Sequence, residues 1–165
     1  TPLIEKETLE KLFAYHLENE YMATVLTTKV EDPTGYGRVI RDSEGNFEKI
    51  VEQKDANEEE LAVNEINSGI YCFKGDKLKE ALDLLDNNNA QGEYYLTDTM
   101  KIIKDKGSKV GVFVGATIEE LMGVNSRVQL AQAEAIMRKR KNKKDFGYFF
   151  EECFTIKAFC DKIYN

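Results

Sequence analysis

Short apolar runs rich in β-branched residues alternate along this chain with segments in which apolar residues recur at helical spacing. A strand shows a period of two or a continuous apolar run, whereas an amphipathic helix shows a period near 3.6. The alternation continues through residues 1–141 and predicts an α/β domain of layered helices and sheet. At residues 38–53 a turn separates two short strand patterns, which predicts an inserted β-hairpin.

The predicted strands cover residues 22–30, 38–41, 47–53, 66–73 and 110–114. The predicted helices cover residues 5–18, 76–85, 94–106 and 128–141, the last opened by Asn125 and Ser126. In the first helix, His16 is expected to cap the flank of the apolar face. The spacing of Thr117 and Glu120 is that of a capping box and predicts one further short helix.

The composition limits the classes of protein to which the chain can belong. Its 165 residues suffice for one domain with a hydrophobic core and are few for two. The net charge of −7 disfavours nucleic acid and anionic membranes as partners. No apolar run reaches the roughly 18 residues that span a bilayer. Three cysteines without a CxxC spacing cannot complete a disulfide framework, so a cytoplasmic setting is expected.

Nucleophilic and metalloprotease chemistry has little support in the sequence. There is one histidine, and neither a Gly-x-Ser-x-Gly elbow nor a His-Glu-x-x-His helix occurs. The candidates that remain are polar or small residues at predicted strand ends and loops, without an evident local role. They are Gly37, Glu52, Asn67 and Asn125.

Gly37 and Glu52 each have an ordinary explanation and a functional one. Gly37, with Gly35, fits a loop that needs positive φ angles, but a missing Cβ also lets a ligand approach the backbone amide. Glu52 fits an exposed strand position, but its carboxylate can also accept hydrogen bonds from sugar hydroxyls.

Asn67 and Asn125 leave the same choice open. Asn67 interrupts a predicted strand, where it is either a β-bulge residue or an amide that contacts a hydroxyl-bearing ligand. Asn125 stands where a helix N-cap is expected, and an amide oxygen at a loop–helix junction is also a reasonable ligand for Mg²⁺.

Five motifs in order resemble the bacterial N-acetylglucosamine-1-phosphate uridylyltransferase family. They are DPTGYGR at 32–38, IVEQKDA at 50–56, EINSGI at 65–70, QGEYYLTD at 91–98 and GVNSR at 123–127. The resemblance covers residues 1–144. It implies an incomplete Rossmann-like nucleotidyltransferase domain with a mixed sheet, the inserted hairpin and flanking helices.

The resemblance also implies a reaction, in which N-acetylglucosamine 1-phosphate attacks UTP and yields UDP-N-acetylglucosamine and pyrophosphate. By the same resemblance, Gly37, Glu52 and Asn67 contact the N-acetylglucosamine part. Asn125 matches an asparagine that binds Mg²⁺ and touches the substrate phosphate. N-acetylglucosamine 1-phosphate or UDP-N-acetylglucosamine are therefore the expected partners.

The sequence departs from that family at both ends. The family's glycine-rich loop for the UTP phosphates has no counterpart in these residues, nor does the aspartate that is its other Mg²⁺ ligand. The 165 residues alone are thus expected to be inactive and to use UTP only if that segment is supplied. No hexapeptide repeats follow Lys144, so no left-handed β-helix and no acetyltransferase role are predicted.

Residues 145–165 resemble nothing in the family and are rich in aromatic residues. Their apolar spacing predicts a helix that covers exposed surface or mediates a homo-oligomer contact. The basic run at 138–144 fits a solvated helix end, where cations meet the helix dipole. Two alternatives to the uridylyltransferase reading stay open: a nucleotidylyltransferase for another sugar 1-phosphate, and a non-catalytic interaction module.

Overall fold

The computed structural model describes residues 2–124 and 126–141. The chain forms two compact units, Thr1–Met122 and Gly123–Asn165. The predictions for Asn125 and for the aromatic segment 145–165, including its helix and its oligomer contact, lie outside the described residues.

The first unit holds nine of the helices and strands. In chain order they are α1 (Lys6–Glu18), β1 (Ala23–Lys29), β2 (Arg38–Arg41), β3 (Phe47–Val51), α2 (Glu58–Leu61), β4 (Glu65–Phe73), α3 (Gly75–Leu82), α4 (Asp98–Asp105) and β5 (Val110–Val114). The second unit contains α5 (Arg127–Lys141). Ser126 caps α5, since its Oγ accepts a hydrogen bond of 3.2 Å from the Gln129 amide.

The strands form one five-stranded mixed sheet in the order β3-β2-β4-β1-β5. β1 is parallel to β5 and antiparallel to β4, and β2 and β3 form the predicted antiparallel hairpin. The contact of β2 with β4 is short, with the single strand pair Arg38–Ile66. The predicted α/β fold with a mixed sheet is confirmed, and the described residues contain no left-handed β-helix.

The sheet has an apolar core on each face, as the alternation of side chains along β1 requires. On one face, Val25 packs in a cluster with Met100 and Ile103 of α4 and with Ala81 of α3. On the other face, Leu26 packs with Leu12 of α1 and with Leu121. Consecutive residues of β1 thus serve opposite cores, and α1 lies across the sheet from α4.

Three predicted helices differ from the structure, and the first of them, α3, ends at Leu82 instead of residue 85. α4 begins at Asp98 instead of residue 94, because residues 94–97 form a loop in which Tyr94 is 68% exposed. The Thr117–Glu120 capping box makes its reciprocal hydrogen bonds, but it closes a turn instead of a helix. The short helix α2 was not predicted, although the spacing of Asn57 and Glu60 in the sequence is that of the capping box that begins it.

The prediction that His16 caps the flank of α1 is wrong, because the side chain is buried beneath the helix. Only 3% of the residue is exposed, and Nδ1 lies 2.9 Å from Thr24 Oγ1 in β1. Burial lowers the pKa of the imidazole below its usual 6.5, and the Lys74 ammonium lowers it further. The neutral ring is therefore the form that the fold accommodates.

This burial predicts a loss of stability on mild acidification. Below pH 6.5 the unfolded chain binds a proton at His16 while the folded chain does not, so the free energy of unfolding falls until the lowered folded pKa is passed. Urea unfolding at pH 7 and at pH 5.5 measures the change. His16→Gln retains a hydrogen-bonding side chain without that titration, and an equal pH dependence in this variant would contradict the assignment.

No helix in the described part of the chain is long and apolar enough to cross a membrane.

Candidate functional site

Three of the four candidate residues meet at one edge of the sheet, although each lies fifteen residues from the next. Gly37 directly precedes β2, Glu52 directly follows β3, and Asn67 lies near the start of β4. Arg38 pairs with Val51 on one side and with Ile66 on the other. This pairing sets Gly37 between the other two residues. The parallel strands β1 and β5 also end at this edge.

Gly37 lies close to the Glu52 carboxylate. A Cβ atom there would lie 3.3 Å from both carboxylate oxygens of Glu52, closer than most real Cβ contacts. Its backbone is not left-handed, whereas Gly35 has φ of 86° and so accounts for the turn geometry expected of the pair. The Gly37 carbonyl oxygen accepts a 2.9 Å hydrogen bond from the backbone N–H of Asn67. Gly37 is therefore hydrogen-bonded to Asn67 and lies beside the Glu52 carboxylate.

Glu52 is half-buried, not the exposed strand residue that was the alternative. Burial raises the pKa of its carboxyl, a 3.4 Å hydrogen bond from Thr97 Oγ1 opposes the rise, and the charges of Asp98 and Asp55 add to it. The group is thus a poorly solvated acceptor, with a strong tendency to take hydrogen bonds from a ligand.

Asn67 stands at an irregularity in the β1–β4 ladder. The register shifts between Val25 and Thr27, whose partners in β4 are Tyr71 and Asn67, and Gly69 inside the bulge has φ of 76°. Asn67 itself pairs with Thr27, so it borders the bulge instead of lying in it, and bulges of this kind re-aim side chains beside functional sites. Asn67 Oδ1 accepts hydrogen bonds from the Gly69 amide at 2.9 Å and from the Tyr71 hydroxyl at 3.0 Å.

A second loop, residues 90–98, contacts the site and contains the motif at 91–98. In the segment 90–98, the Ala90 amide donates to Asp55 Oδ1 at 2.7 Å and the Tyr95 hydroxyl donates to Asp55 Oδ2 at 3.2 Å. The same segment supplies Thr97, which contacts Glu52. Burial raises the pKa of Asp98, as do its acidic neighbours. The sequence analysis did not predict a role for three residues that lie here: Tyr71, Thr97 and Asp98. Two of them, Thr97 and Asp98, belong to the motif at 91–98.

The site offers an acceptor carboxylate, amides and hydroxyls, which is the chemistry that recognises sugar hydroxyls. His16 lies buried under α1, on the other face from Tyr71, so it does not serve as a base here. Among the described residues, no group of three His, Cys, Asp or Glu side chains is arranged to hold a metal ion. Asn125, the expected metal ligand, lies outside them.

Known proteins resemble this chain in sequence over most of its length. The model of the family described as Nucleotidyl transferase matches residues 3–119. A Clostridioides difficile (strain 630) protein named "Bifunctional protein GlmU" is 71% identical over 143 residues, which are 87% of this chain and 31% of that protein. The protein of the same name from Alkaliphilus oremlandii (strain OhILAs) is 59% identical over the same shares. The chain spans about a third of the length of these relatives.

A solved structure agrees with the fold. The crystal structure of UDP-glucose pyrophosphorylase complexed with UDP-glucose superposes with a TM-score of 0.55 at 17% identity, covering 79% of this chain and 51% of that one. At this low sequence identity, the superposition supports the fold alone. The family resemblance that the five motifs indicated is confirmed by the match over residues 3–119, and the chain belongs to the nucleotidyl transferase family.

Proposed function

We propose that Gly37, Glu52 and Asn67 bind the sugar part of N-acetylglucosamine 1-phosphate and of UDP-N-acetylglucosamine. One observation carries the proposal: strand pairing gathers these three residues, distant in sequence, at one edge of the sheet. Glu52 accepts hydrogen bonds from ring hydroxyls, Asn67 contributes its carboxamide, and Gly37 leaves the space that a ligand needs beside the backbone.

The reaction that this site serves, in our proposal, is uridylyl transfer from UTP to N-acetylglucosamine 1-phosphate, with release of pyrophosphate. Both reactants are polyanions, so catalysis depends on in-line positioning and on neutralisation of charge. The described residues supply the positioning: by fixing the sugar ring they direct its phosphate. The whole activity belongs to a protein of the length of the relatives, of which this chain spans about a third.

Membership of the nucleotidyl transferase family is consistent with use of a divalent metal ion. We propose that the ion is Mg²⁺ and that Asn125 is the ligand this chain contributes. Bound there, Mg²⁺ would supply positive charge beside the phosphates. The described residues offer it no cluster of carboxylates, and a single neutral amide holds Mg²⁺ weakly. Tight binding in this proposal requires a carboxylate from another segment.

Replacement of Asn67 by alanine tests the sugar site. We expect Asn67→Ala to weaken binding of UDP-N-acetylglucosamine to the chain by about tenfold, through loss of a buried ligand hydrogen bond. Isothermal titration calorimetry provides the measurement, with glucose 1-phosphate as a competitor to compare the sugars. Asn46→Ala is the matched control, since Asn46 lies in the turn at the far end of the hairpin. Equal affinity of the parent and Asn67→Ala, or no binding by the parent, would reject the site.

A further inference from the structure

The orientation of the Asn67 carboxamide is fixed by its neighbours. A backbone N–H can only donate, so the atom that faces the Gly69 amide must be the oxygen. The Tyr71 hydroxyl donates to the same oxygen from a second direction. With both contacts made at Oδ1, the NH₂ group of Asn67 is left as the free end of the side chain, and the structure gives it no hydrogen-bond partner among the described residues.

Tyr71 is suited to hold a neighbour in place. Its ring stacks with Phe73 at a centroid distance of 5.5 Å and packs against the core cluster under α3 and α4. Burial raises the pKa of the phenol, the hydrogen bond to Asn67 opposes this, and the Glu52 charge raises the pKa again. The hydroxyl therefore keeps its proton at neutral pH and stays a donor.

We propose that Tyr71 is a positioning residue, whose hydroxyl and the Gly69 amide together hold the Asn67 carboxamide with its NH₂ group toward the ligand. The site then presents one fixed donor, Asn67 Nδ2, together with one acceptor, the Glu52 carboxylate. A sugar hydroxyl both donates and accepts, so this pair suits a neutral, hydroxylated ring. This inference rests on the proposed sugar site and adds a residue that acts through Asn67.

A double-mutant cycle tests the coupling. Tyr71→Phe keeps the packed ring and removes the hydroxyl, and we expect it to weaken binding of UDP-N-acetylglucosamine by about three- to tenfold. In an Asn67→Ala background the same change should have no further effect, because nothing remains to be positioned. Tyr15→Phe is the matched control: its hydroxyl contacts Tyr21 and its ring packs on Phe113, on the α1 face. An unchanged affinity in Tyr71→Phe, or an equal loss in both backgrounds, would overturn the inference while leaving the sugar site standing.

A ligand-free measurement separates this inference from the proposed function. In the parent chain the ¹⁵N order parameter of the Asn67 NH₂ group should exceed that of Asn64, whose side chain is exposed. In Tyr71→Phe it should fall toward the Asn64 value, with the melting temperature nearly unchanged. An Asn67 group as mobile as Asn64 in the parent, or one equally rigid without the hydroxyl, would refute a positioning role whether or not the sugar binds.

Discussion

Replacing Arg41 with methionine is expected to lower the free energy of unfolding by about 3 kcal/mol, because it leaves a buried carboxylate without its counter-ion. Arg41 donates from Nε to Glu65 Oε2 at 2.8 Å and from Nη2 to Oε1 at 2.7 Å. The Glu65 side chain is only 5% exposed. Thr27 Oγ1, at 2.8 Å, is the other hydrogen-bond donor to that carboxylate. Urea unfolding at pH 7 measures the loss.

Two comparisons identify the cause of that loss. The double variant Arg41→Met with Glu65→Gln should regain most of the stability, because the amide keeps an acceptor for Thr27 and carries no charge. Arg138→Met breaks an Arg–Glu pair with exposed side chains, 76% and 58%, and should change stability by less than about 1 kcal/mol. A double variant no more stable than Arg41→Met alone would show that lost packing, not the uncompensated charge, dominates.

Glu120→Ala is expected to lower the free energy of unfolding by about 2–3 kcal/mol, since one buried carboxylate satisfies groups from two segments. Glu120 is 4% exposed. It accepts hydrogen bonds from Thr8 Oγ1 in the first turn of α1 at 2.5 Å and from the amide of Glu5, which directly precedes the helix, at 3.3 Å. Its other oxygen accepts from the Thr117 amide at 2.8 Å. A negative charge here also complements the α1 dipole.

The location of the damage distinguishes this role from a general loss of packing. Amide hydrogen exchange should accelerate first at Thr8 and Leu9, whose amides bond to the Glu5 carbonyl in the turn that Glu120 secures. Glu31→Ala removes an exposed carboxylate that lies beyond the end of β1 and should shift stability by less than about 0.5 kcal/mol. Uniform acceleration along α1 in Glu120→Ala would contradict a capping role.

The strands were predictable because their composition leaves few alternatives. Residues 110–114 are apolar apart from Gly111 and match β5 at both ends. Gly111 is explained only by the fold, since a Cβ there would lie 2.6 Å from the Tyr21 ring. The start of α4 was predicted wrongly because Tyr95, which precedes the helix, is hydrogen-bonded to Asp55, forty residues away. A local sequence pattern does not indicate such a contact.

The residues of the candidate site could be predicted from the sequence, but most of the contacts that position them could not. Gly37, Glu52 and Asn67 could be selected from the family resemblance, and their proximity follows from the pairing of β2 with its two neighbours. The roles of Tyr71 and Thr97 depend on a bulge and on a loop that closes from 45 residues away. Both depend on tertiary contacts, which the hydrophobic periodicity of the sequence does not predict.

The short β2–β4 contact has a consequence for behaviour in solution. Beyond the Arg38–Ile66 pair, no strand among the described residues pairs with the second edge of β4, so the backbone donors and acceptors there have no strand partner among those residues. Such a row is a template for strand pairing with another copy of the chain. The net charge of −7 opposes that encounter by mutual repulsion, and salt screens the repulsion without weakening the backbone hydrogen bonds to a similar degree. We therefore expect any strand pairing between copies through this edge to increase with ionic strength.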